Sequence, residues 1–174
     1  MGRFLLNFFG TPKHSAALKR ATLLIVIFIS IFLGIAAYGK FFFPSEKLKQ
    51  LDFLTSCFEV AIIILLFAFR GYFLTWLMAC VLFAAWGGYS LYWCVLKLPC
   101  GCVGSLMQFP TAYALALDAL FFILSFTLAY LLGAFRPLLY LTVVCCLLFS
   151  LIGYVFAESV FYQDILGMRW SFFN

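Results

Sequence analysis

Two cysteines one residue apart, Cys100 and Cys102, are the residues whose type and spacing best suit chemistry. They lie in Pro99-Cys100-Gly101-Cys102-Val103-Gly104, a glycine-rich turn between two runs too apolar for a water-soluble protein. Thiols at i and i+2 can be bridged only where the chain bends sharply, because a disulfide needs Cα atoms roughly 4.4 to 6.8 Å apart. Gly101 permits the bend and Gly104 loosens the exit. So small a ring is strained, and strained, exposed disulfides are the labile, oxidising kind. A pair of free thiols in a turn fits the spacing as well. Lys40, Glu59 and Asp118 are the ionisable residues in or beside apolar runs that could serve such thiols.

The elements that position these residues are set by composition. Of 174 residues, 67% are hydrophobic and 10% charged, and 24 are phenylalanine. A core of this size cannot bury that much apolar surface in water, so the expected fold is an all-α polytopic membrane protein in contact with lipid. The net charge of +5 is spread along the chain. It sits mostly at the ends of apolar runs, as topology signals do, and forms no basic patch with interleaved aromatics, so no nucleic-acid partner is expected. Seven cysteines leave at least one thiol unpaired within the chain. No CxxC or Cys/His spacing suggests zinc, and no metal site is expected. No Ser/His/Asp set or phosphate-cradling loop can be assembled, and His14, the single histidine, lies in an N-terminal segment where it reads as a solvated residue.

The apolar runs predict five transmembrane helices, at about 21–39, 51–69, 72–96, 112–135 and 138–156: a four-helix core plus one additional C-terminal span. The first is about 29 Å long as a helix, enough to cross a bilayer. Residues 1–20 read as a basic, interfacial segment interrupted by Pro12, and 158–174 as an interfacial tail. Ala37-Tyr38-Gly39 resembles a signal-peptide cleavage site, but the basic region before the first span is long for one. Only Cys57 and Glu59 interrupt the second span. Arg70-Gly71 predicts a tight turn and antiparallel neighbours, and Gly87-Gly88 a close helix approach in the third span. Trp86, Tyr89, Tyr92 and Trp93 gather toward that span's end, as interface aromatics do.

Five spans place the termini on opposite sides. Lys40 and the Cys-Gly-Cys turn then share one face, with Glu59 about 12 Å and Asp118 about 9 Å inward from it. Of the eleven basic residues, Arg3, Lys13, Lys19, Arg20, Arg70 and Arg136 fall on the N-terminal side, and Lys40, Lys47, Lys49, Lys97 and Arg169 on the other. That slight excess predicts a cytoplasmic N-terminus and an extracytoplasmic Cys-Gly-Cys turn, where disulfides persist. Glu59 and Asp118 read either as proton acceptors, or as carboxylates that hold Lys40 over the thiols and raise the thiolate fraction, or as packing groups that pair with Lys40 or a neighbouring helix. Cys57 and Cys94 could supply a third thiol or simply pack between helices, whereas Cys80, Cys145 and Cys146 lie far from the turn.

Gly34-Ile-Ala-Ala-Tyr-Gly39-Lys40-Phe41, Pro44, Phe58-Glu59, Cys100-Gly101-Cys102-Val103-Gly104 and an acidic residue near the start of span four, read in order, resemble the methylamine-utilisation protein E (MauE) family, among the small DoxX-like membrane proteins. The likeness covers about residues 23–132. Val103 stands where the family often has an aromatic, Asp118 where it often has a basic-polar pair, and the fifth span extends the usual four-helix unit. The resemblance implies a redox-associated protein of a bacterial cytoplasmic membrane, working with a thioredoxin-like dithiol partner in forming or maintaining disulfides of an extracytoplasmic protein. In founding members that client is methylamine dehydrogenase, to which nothing in this sequence points. Cys100 and Cys102 become the redox pair of a thiol-disulfide oxidoreductase, with Lys40 and Glu59 as supporting residues. A lipid quinone as electron carrier is suggested by analogy with other membrane disulfide enzymes, although no quinone motif is visible. Two other readings stay open: a copper-handling permease or chaperone using Cys-x-Cys as a soft ligand pair, and a non-catalytic assembly protein.

Overall fold

The computed structural model describes residues 16–44, 49–98, 110–133 and 136–164. Five helices run through them: α1 Ala16–Phe42, α2 Lys49–Phe69, α3 Phe73–Val95, α4 Thr111–Leu131 and α5 Arg136–Asp164. All five are long and apolar enough to cross a membrane. The chain is an all-α polytopic membrane protein, as its composition requires. Outward-facing Leu147, Leu148, Leu151, Ile152 and Val155 on α5, and Leu54, Val60 and Ile64 on α2, give it an exposed apolar surface suited to lipid.

The first four helices each stop where the local chain supplies a reason. After α1, Phe43 N–H still bonds the Gly39 carbonyl at 2.9 Å, but Pro44 has no N–H to continue the ladder. At the end of α2 the Arg70 guanidinium donates to the Phe67 carbonyl at 3.3 Å, a cation meeting the negative end of the helix. The buried Trp76 indole N–H donates to the Arg70 carbonyl at 2.9 Å, tying α3 to the turn. Helix α4 ends at Gly133, whose φ of +98° lies in the left-handed region that favours glycine. At the end of α3 a lysine takes that role. Lys97 has φ +55°, its N–H bonds the Cys94 carbonyl at 3.1 Å, and Leu98 N–H bonds the Trp93 carbonyl at 3.1 Å. This paired pattern is the Schellman termination, built here without glycine.

Helix α3 is central: it packs most extensively on α5 and α4, while α1 packs on α2, and only a few close backbone approaches link the two groups. Side chains fill the wider seam. Val26, Ile29 and Leu33 of α1 and Leu66 of α2 share one core with Trp76, Phe83, Phe121 and Leu128. Phe121 meets Phe28, Phe32 and Phe83 at ring separations of 5.8, 5.7 and 5.2 Å, edge-on or tilted, as the aromatic quadrupole favours.

The α3–α5 contact is of another kind. A Cβ on Gly88 would lie 1.9 Å from the Ser150 carbonyl oxygen, and one on Gly153 would lie 2.0 Å from that of Ala85, so the two backbones touch. Gly88 therefore makes the close approach expected of the glycine pair. Its neighbour Gly87 faces α4 instead, where an added Cβ would rest at an ordinary 3.8 Å from the Asp118 Cβ. Helix α5 also continues to Asp164 rather than ending near 156, and its extension buries Ala157 and Val160 against Tyr92 and Trp93. Tertiary packing thus keeps helical a segment whose polar residues suggest a tail.

Candidate functional site

In an α-helix each side chain leans toward the helix N-terminus. Helices α1 and α2 are antiparallel neighbours, so Lys40, in the last turn of α1, leans into the bundle, while Glu59, midway along α2, leans back toward the end from which Lys40 comes. The two meet as a buried ion pair, Lys40 Nζ with Glu59 Oε1. Lys40 is 8% and Glu59 3% exposed. The second carboxylate oxygen of Glu59, Oε2, is buried with no hydrogen-bond partner among the described residues.

Around this pair α2 presents a polar stripe. Asp52, Ser56 and Glu59, at i, i+4 and i+7, are all buried on one face. The Ser56 hydroxyl lies 2.7 Å from the Asp52 carbonyl and 3.2 Å from the Ala37 carbonyl of α1, so it can donate within its own helix or across to the next. Asp52 is close enough for its charge to act on Glu59.

A second polar pair faces the first across the seam. The Ser90 hydroxyl of α3, 1% exposed, donates to Asp118 Oδ2 of α4 at 2.7 Å. The bare surface of Gly87 lies beside Asp118 and leaves it room. The Lys40 ammonium is near enough to act electrostatically on Asp118 as well as on Glu59. Four helices therefore contribute to one cluster, in which a single ammonium serves two carboxyl groups.

Of the residues singled out from sequence, Lys40, Glu59 and Asp118 come together, while Cys100 and Cys102 lie outside the described residues. The ends of α3 and α4 that flank the two thiols are at the same end of the bundle as Lys40. Cys57 faces outward from α2 and is exposed, whereas Cys94 is partly exposed and lines a shallow recess with Lys97, Leu98, Pro110, Thr111 and Ala112. Cys80 is buried, its sulfur 3.9 Å from the Phe122 carbonyl, as a packed thiol would be. Among the described residues no group of three or more His, Cys, Asp or Glu side chains could hold a metal ion.

Sequence reasoning missed Asp52, Ser56 and Ser90. Asp52 interrupts the second span along with Cys57 and Glu59, and the 52/56/59 spacing was the available signal, a polar helical stripe in an otherwise apolar run. Nothing in the sequence marks Ser90, because the small hydroxyl gains its meaning only from Asp118 on another helix. The chain matches no protein-family model, no curated protein and no solved structure.

Proposed function

We propose that this chain is a membrane thiol-disulfide exchange protein whose Cys100/Cys102 pair trades electrons with a soluble, thioredoxin-like dithiol protein on the extracytoplasmic side. In the exchange, a thiolate of one protein attacks the disulfide of the other to give a mixed disulfide. The second thiol of the attacking protein then releases it, so two electrons and two protons pass from dithiol to disulfide. The observation that carries this reading is the buried Lys40–Glu59 ion pair, at the end of the bundle from which α3 and α4 lead to the two thiols. Lys40 and Glu59 are the residues that the MauE-like pattern couples to the cysteine pair.

The full chain, reconstituted in liposomes and incubated with thioredoxin as the probe, provides the test. Cys102→Ala is expected to trap a mixed disulfide through Cys100, and a membrane-impermeant alkylating reagent should label both thiols of the reduced wild type from the side opposite the N-terminus. Cysteines that stay reduced under oxidising conditions, together with no mixed disulfide in the variant, would overturn the reading.

A further inference from the structure

The charges in the four-helix cluster do not balance when every group is ionised. Lys40 supplies one positive charge against two negative ones from Glu59 and Asp118, each within its electrostatic reach, while Asp52 stands in the first turn of α2, where the positive end of the helix offsets its charge. Removing a carboxylate from water costs several kcal/mol unless an opposite charge and hydrogen bonds compensate. Lys40 compensates one. Among the described residues the other has Ser90 as its hydrogen-bond donor, and the buried oxygen Oε2 of Glu59 has none. A buried carboxyl oxygen without a donor is where a proton fits: protonation removes the surplus charge, and the oxygen then carries a hydrogen of its own.

We propose that Glu59, Asp118 and Lys40 form a proton-exchange site at the seam between the α1–α2 pair and the α3–α4–α5 group, holding one proton between the two carboxyls. The Lys40 ammonium balances whichever carboxyl is ionised. With the proton on Asp118, Lys40 and Glu59 form the ion pair seen here. Transfer to Glu59 Oε2 leaves an ionised Asp118, which Ser90 and Lys40 stabilise. The transfer is charge-neutral overall, since one proton leaves one carboxylic acid and joins one carboxylate. Among the described residues, the groups that bear on the two carboxyls are Lys40 from α1, Asp52 from α2 and Ser90 from α3. This site goes beyond the thiol reading and stands without it.

Infrared spectroscopy of the full chain in liposomes tests the proposal. At neutral pH, where exposed acids are ionised, the wild type should show a carbonyl band of a protonated carboxylic acid that shifts in heavy water. Either Glu59→Gln or Asp118→Asn leaves one carboxylate for one ammonium, so the band should disappear from both. Lys40→Met leaves two buried carboxyls and no ammonium, so the band should grow roughly twofold. Asp52→Asn and the double variant Cys100→Ala/Cys102→Ala should keep it, and helix content by circular dichroism identifies any variant that fails to fold. The proposal is overturned if the folded wild type lacks the band, if the band survives in folded Glu59→Gln and Asp118→Asn, or if it appears only when sodium and potassium are replaced by choline. The last result would assign the site to an alkali cation.

Discussion

Helices α1 and α2 meet through an ion pair and a serine, whereas α3 and α5 meet through bare backbone at Gly88 and Gly153. Both contacts answer the same difficulty. In a bilayer the lipid tails are as apolar as the side chains, so helices gain little from hiding hydrophobic surface against each other and must associate by close packing or polar bonds. The α3–α5 contact uses packing, and it is chemically silent. The α1–α2 contact uses charge in a low-dielectric setting, and is sensitive to protons and to any change in its partners. The helices that hold the bundle most closely are thus not those that carry the Lys40–Glu59 pair.

This contrast can be broken at either side. The largest effect is expected from Gly88→Leu, because the added side chain would have to occupy the position of the Ser150 backbone, which cannot give way. The cost should exceed about 5 kcal/mol, the range of exceptional single substitutions, and should appear as loss of folded protein in a denaturant titration from mixed micelles. Next is Lys40→Met, which leaves buried Glu59 without its counter-ion and should cost about 3–5 kcal/mol by the same titration, with most of it recovered in Lys40→Met/Glu59→Gln. A double variant no more stable than the single would show that the pair contributes nothing as a pair. The smallest effect is expected from Gly87→Ala, one residue from Gly88, whose new methyl meets Asp118 at ordinary contact distance. It should stay within about 0.5 kcal/mol of wild type. Equal damage from Gly87→Ala and Gly88→Ala would mean that the two neighbours do not face different helices.

How much of this was legible beforehand varies with the physics behind each feature. The helices were, because a membrane span is a property of local composition and needs no knowledge of neighbours. The Arg70-Gly71 turn was legible for the same reason. Gly87-Gly88 announced a close approach without saying which residue makes it, since that depends on how α3 is rotated against α4 and α5. The end of α5 is not legible, because Ala157 and Val160 are held helical by Tyr92 and Trp93, contacts from another helix. Lys40, Glu59 and Asp118 were recognisable as costly residues in apolar surroundings. Their convergence was not, because it follows from the inward lean of Lys40 and the outward lean of Glu59 on antiparallel helices. Ser90 and Asp52 carry weaker signals, one too ordinary and the other too near the start of its helix.

The Lys40–Glu59 pair also bears on how the chain enters the membrane. A lone charged residue at the centre of a helix costs about 2.5–3.5 kcal/mol to insert. Lys40 and Glu59 sit on consecutive helices joined by a short polar segment, so a hairpin of α1 and α2 can bring them together before α3 has been made. The pair can then pass into the lipid as a neutral unit, and Asp118, arriving later on α4, meets an ammonium already in place.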